Sequence, residues 1–160
     1  MSRHLLAEAH RFLDWAREQG AELDGTDHSV WFVQGVLESM AQDTGEEPSL
    51  RAVKCLAYAV YLAELLAGTC RDVRCVVDGV GMNLRSVLAV REGGPVQFPL
   101  AWVRSCIDDP RGGNVGFTFA GALRDFGEDG RAAAMYAQLK QFDESRARSR
   151  GPSASAPAAE

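Results

Sequence analysis

The chain has 160 residues, 46% of them hydrophobic and 24% charged, with a formal net charge of -5. That length builds one domain with a real core and is too short for two, while the acidic balance argues against a general polyanion binder, which needs a clustered basic field. The charge is polarised: residues 1–50 carry ten acidic and three basic side chains, residues 51–91 six basic and three acidic, and the remainder nine and eight.

In chain order, Leu5, Leu6, Ala9, Phe12, Leu13 and Ala16 recur at helical spacing, which predicts a helix over 4–19 stopped by Gly20. LDGTDHS is a turn, with Thr26, Asp27 and Ser29 as candidate caps for a second helix over 29–41 carrying Val30, Val33, Leu37 and Met40. After the loop QDTGEEP, Ser49 is the expected cap of a third helix over 50–67, ending at Gly68. Its apolar residues run nearly all the way round, as in a helix covered on several sides. VRCVVD (73–78) and LRSVLAVR (84–91), joined by GVGMN, read as an antiparallel hairpin, and REGGPVQFP adds a short extended piece. Pro99 opens a helix over 99–108, broken by DPRGG. Residues 115–126 fit either state, and the helix is preferred. GRAAAMYAQLKQFDE, 130–144, is a clear helix, and the Arg/Ser/Ala/Pro-rich stretch from 145 onward is expected to be a disordered tail. The fold class is therefore α+β: one domain over 1–144, with helices packed around a central apolar helix and a small antiparallel sheet.

The central helix raises the main chemical question. CLAYAVYLAELLAGTC, 55–70, contains a single charge, Glu64. A dry, unpaired carboxylate would destabilise the fold, so Glu64 is expected at a helix-end rim, paired with an arginine or a backbone donor; Arg71 and Arg74 lie just beyond. Neither that stretch nor any other reaches the ~20 apolar residues that span a bilayer, so no membrane span is expected. Cys55, Cys70, Cys75 and Cys106 form no CxxC pair, and no secretory signal opens the chain, which points to reduced, buried thiols in a cytoplasmic protein. His4 and His10 are six apart on one helix, and His28 stands in an acidic turn; no metal or cofactor is expected. Gly79-Val80-Gly81 lacks the third glycine of a dinucleotide fingerprint. Gly93-Gly94-Pro95 and Gly112-Gly113 lack the lysine of a P-loop. Trp31 and Phe32 are adjacent, so one of them lies at an edge, and an exposed Trp31 beside Asp27 and His28 would make a contact patch.

A helix, then Leu23–Ser29 and a second helix, then Tyr61–Gly68 with its Glu-x-x-x-Gly, a small sheet, and the Pro-initiated Phe98–Val103 form an order similar to small uncharacterised domains of high-GC Gram-positive (actinobacterial) bacteria. The resemblance spans about 5–140. It implies a helical α+β fold and a bacterial cytoplasmic setting, and it supplies no catalytic residues.

No complete catalytic group emerges. The expected function is a non-enzymatic protein-binding or regulatory domain acting through a protein partner or a second copy. The alternative is a small enzyme or ligand-binding domain with a pocket near Glu64 and the 71–91 arginines. Nucleic acid as a partner would need arginines 51, 71, 74, 85 and 91 on one face, and is not expected.

Overall fold

The computed structural model describes residues 2–78, 83–109 and 111–149. Six helices and three strands follow in the order α1 (Ser2–Glu18), α2 (Ser29–Gln42), α3 (Pro48–Thr69), β1 (Val73–Val77), β2 (Val87–Arg91), β3 (Val96–Gln97), α4 (Pro99–Asp108), α5 (Val115–Asp125) and α6 (Asp129–Ser149). The class is α+β, with one antiparallel sheet ordered β1-β2-β3.

α3 is the central element. Every residue from Cys55 to Ala63 is buried, because α1, α2, α4 and the inner face of the sheet all pack on it. The helix begins earlier than its sequence suggests. Pro48 takes the first helical position, and Glu47, not Ser49, is the N-cap: its carboxylate accepts from Ser49 N at 3.2 Å and Leu50 N at 3.1 Å. A carboxylate there meets both the orphan amides and the positive end of the helix dipole, which outweighs what the Ser49 hydroxyl can offer. At the other end Gly68 stays helical, and the helix runs to Thr69 with Cys70 as C-cap.

In the turn beyond Glu18, α1 is closed off by Gly20, whose φ of 94° lets Ala21 N close back on Ala16 O at 2.9 Å. Residues 21–28 then cross to α2. None of the expected caps serves α2 through its side chain. His28 occupies the N-cap position in a helical conformation, and Ser29 Oγ donates back to Thr26 O at 2.5 Å. Residues 115–125 are helical as preferred; Asn114 caps them, accepting from Phe117 N at 2.9 Å. Buried Gln34 of α2 accepts from Val115 N at 2.8 Å and so satisfies another amide of that helix start.

Two further boundaries differ from expectation. Residues 84–86 belong to a turn, not to β2: Asn83 N donates to Ser86 Oγ at 3.0 Å, and Ser86 N to Asn83 O at 3.0 Å. The turn glycines 79 and 81 lie outside the described residues. Residues 145–149, expected to open a disordered tail, are helical. α6 continues through Ser149, and Arg146 in this last stretch pairs with Glu38 of α2 at 2.8 Å and lies over the Phe142 ring at 5.6 Å. Tertiary contact keeps helical a segment whose own sequence has no apolar periodicity. Residues 150–160 lie outside the described residues.

Candidate functional site

Glu64 stands where α3 is covered by α1. Its Oε1 lies 2.6 Å from Nε2 of His10, and the two side chains remain 40% and 44% exposed. The rim position agrees with expectation. The arginine partner does not: the cross-helix neighbour is a histidine 54 positions away. Arg71 and Arg74 are exposed, because Asp72 takes a φ of 58° at the corner and turns the chain into β1. Arg71 is 91% exposed and approaches Asp72 at 3.5 Å.

Two shallow crevices flank Glu64. One, of about 300 Å³, runs past Arg17, Gly25, Tyr61 and Gly68. Its polar groups are engaged with one another. The Tyr61 hydroxyl accepts from Gly25 N at 3.0 Å and bonds Ser29 Oγ at 2.6 Å, and Arg17 Nε donates to Leu23 O at 3.0 Å. This is a seam that ties the 20–28 crossing to α3. The second crevice, of about 240 Å³, lies between Arg3 and Leu6 of α1 and Cys75 and Val77 of β1.

Asp27 is structural. Arg131 of α6 donates to it twice, Nε to Oδ2 at 2.9 Å and Nη2 to Oδ1 at 2.7 Å, and also reaches Thr69 Oγ1 at 2.9 Å. This planar, two-pronged geometry is the strong form of a charge-assisted bond, and it raises the guanidinium pKa further. His28, next door, is exposed. Trp31 is not the exposed edge: it is buried, stacks on Phe142 at 5.1 Å, and donates its indole N–H to Gln138 at 2.8 Å. Phe32, half-buried, takes the edge. The six candidate residues, those of the expected contact patch and those of the alternative pocket, therefore fall into an ion pair, a half-exposed histidine contact, a buried ring and three solvated side chains.

Burial pushes the Cys75 thiol up to about 11, with the Glu64 carboxylate adding to the rise, and burial also takes Cys106 up to about 11. Cys55 and Cys70 are raised by burial too. Thiols held protonated at neutral pH are poor nucleophiles. Among the described residues no group of three or more His, Cys, Asp or Glu is placed to hold a metal ion, and no helix is long and apolar enough to cross a membrane. Arg51 and Arg91 are engaged by main-chain carbonyls, Arg51 at Met40 O (2.7 Å) and Arg91 at Arg71 O (2.7 Å) and Phe126 O (3.0 Å).

The sheet has a surface that composition alone does not reveal. Val87 and Ala89 face α3 and are fully buried. The register sets Arg74 against Val90, Val76 against Leu88, and Val90 against Val96, so these five share the opposite face. Four of the five are aliphatic, with Val76 37% and Val96 41% exposed. An antiparallel sheet with one solvated face ordinarily alternates polar residues outward. This one does not.

No family model matches the chain, and no curated protein or solved structure shows significant similarity to it.

Two of the features just described escape sequence reasoning for different reasons. His10 and Arg131 are ordinary residues in ordinary helices, and only the packing of α1 on α3 and the approach of the start of α6 to the 20–28 crossing and the end of α3 give them partners. The sheet face did leave a signal: VLAVR has no polar residue among its first four positions, which marks a strand apolar on both faces.

Proposed function

We propose that this chain is a non-enzymatic protein-binding domain whose contact surface is the outer face of its sheet. The observation that carries the reading is the aliphatic row Val76, Leu88, Val90 and Val96 on the outer sheet face, its two ends exposed and Leu88 and Val90 half-buried, where polar residues ordinarily stand. Burying such a row is worth roughly 25 cal/mol per Å² of apolar area, and leaving it wet gains the monomer nothing. The partner is a protein that lays its own apolar helix or sheet face across the row, with Arg74 at the margin to meet an acidic residue.

The sheet edge supports the same reading. Asp78 N donates to Ser86 O at 2.8 Å, which sets the phase of the ladder: the main-chain groups of Arg74 and Val76 face β2, and those of Cys75 and Val77 point outward from the β1 edge. The partner can therefore also find hydrogen-bonding groups beside the apolar row. The setting we propose is cytoplasmic, where the four free cysteines stay reduced.

A photo-crosslinking residue placed at Val90 of the full chain, expressed in its host, tests this. The same residue at exposed Glu144 on α6 is the control. The reading requires a discrete adduct from position 90, with either another protein or a second copy, that is lost when Val76 and Val96 are both changed to aspartate. Equal labelling from positions 90 and 144 removes the sheet face as the contact surface.

A further inference from the structure

The solvent side of α2 carries a second feature, built from elements that share no residue with the sheet face. A groove of about 420 Å³ runs along the helix between Phe32, Val36 and Met40 and ends at Asp43, Glu46 and Lys54. Gly35 lies at its middle, where an added Cβ would meet nothing within 4 Å, so the groove is open along its length.

Its far end is unusual. The Glu46 side chain is 94% buried by its 6% exposure, and Lys54 Nζ holds Oε1. Oε2 is buried without a hydrogen-bond donor. Arg51 is the nearest further cation, at 3.7 Å, too long for a hydrogen bond, and its Nη1 already donates to Met40 O at 2.7 Å and Asp43 O at 3.2 Å. Arg51 is thus held by the carbonyls at the end of α2 and supplies only a weak attraction. A buried carboxylate oxygen lacking a donor is destabilising, and such atoms are rare in native folds.

We propose that this groove binds a small organic cation: an apolar, preferably aromatic, body with a protonated amine at one end. The ammonium donates to Glu46 Oε2, and the body lies across Gly35 between Phe32 and Met40. The chemistry follows from the lining. The walls are mostly apolar, the one buried side-chain acceptor without a donor among the described residues is anionic, and the lining carboxylates, Asp43 and Glu46, outnumber the one lining ammonium, Lys54, with Arg51 held off at 3.7 Å by its main-chain bonds. An anionic ligand would meet the same donor-less oxygen with repulsion, and a neutral hydrocarbon would leave it without a donor. The volume lies at the lower end of the range for small-molecule pockets.

The test uses the full chain, isotope-labelled for amide NMR, and 3-phenylpropylamine as probe, with 3-phenylpropionate as the charge-reversed control. The expected result is saturable movement of the amide signals of Gly35, Val36, Ser39 and Glu46 with the amine and none with the acid. Glu46→Gln should weaken amine binding about tenfold or more, the order of one charge-assisted bond. Should that variant fail to fold, Gly35→Leu fills the groove from its open side without touching Glu46 and is expected to abolish binding with little change in Tm. Absence of amide movement at millimolar amine overturns the proposal. Equal response to amine and acid overturns it as well, as does binding that survives both substitutions.

Discussion

Glu47 shows how much a single side chain can determine. It is an exposed side chain, yet it caps the helix on which the rest of the molecule is assembled. Its hydrogen bonds, first from the Ser49 hydroxyl and then from the Ser49 and Leu50 amides, hold its pKa below the usual 4.5. A carboxyl whose folded pKa is depressed stabilises the fold fully above the unfolded value, and that contribution is lost as pH falls through the lower, folded pKa. Glu47→Ala should therefore lower Tm at neutral pH, and the gap to the unaltered chain should close as the pH drops below 4.5. Thermal unfolding followed by circular dichroism at a series of pH values measures both. A gap that persists undiminished in acid would show that the residue acts by something other than its charge. Glu47 was within the loop as read from the sequence, because Ser49 is the commoner cap and nothing local decides between them. Glu64 is the complementary case. Its rim position was legible from the apolar run around it, but its partner was not, since His10 is brought there only by the packing of α1 on α3.

Between elements, close approach is controlled by residues that lack side chains. Gly116, on the first turn of α5, lies against the six-membered ring of Trp31, and a Cβ there would run into that ring. The ring has no free direction to yield: it is stacked on Phe142 and tethered by its indole N–H to Gln138. Gly116→Ala, which in an open helix would be favourable, is expected to destabilise by about 1–3 kcal/mol, the usual cost of overpacking a filled core. Urea titration followed by Trp fluorescence measures it, and a neutral or stabilising result would show that the α2–α5–α6 junction is looser than described. Gly113 makes a similar approach to the Cys106 backbone, where a Cβ would come within 2.6 Å. In the sequence, Gly112-Gly113 reads as a turn, and it is one; that the second glycine is also a packing contact becomes visible only when α4 and α5 are brought together.

For the molecule as a whole, Arg131 is the residue that closes the assembly. It ties the start of α6 to Asp27 ahead of α2 and to Thr69 at the end of α3, partners 104 and 62 positions away in sequence. Both members of the ion pair are 26% exposed, so solvent screens part of the interaction. Arg131→Ala is expected to cost about 2 kcal/mol, and the double variant with Asp27→Ala should cost clearly less than the two single changes together. Chemical unfolding of the four proteins gives the coupling directly. Additive losses would mean that the two residues stabilise the fold independently.

Much of the design was written locally. Helical spacing in α1, α2, α4 and α6, the apolar circumference of α3 and the valine-rich pair of strands follow from periodicity, because a face that must be buried repeats with the period of its own backbone. The α+β class and the central place of α3 follow from the same pattern. What tertiary structure alone decided is which side chains meet. Asp27, His28, Trp31, Glu64, Arg71 and Arg74 are chemically suited to one site, but the turn at Asp72, the covering of Trp31 by α6 and the pairing of Asp27 with Arg131 separate them. Side-chain chemistry is a property of the residue. The distance between two residues far apart in the chain is a property of how the helices pack, and α6 could be followed to Ser149 only once α2 was there to receive Arg146.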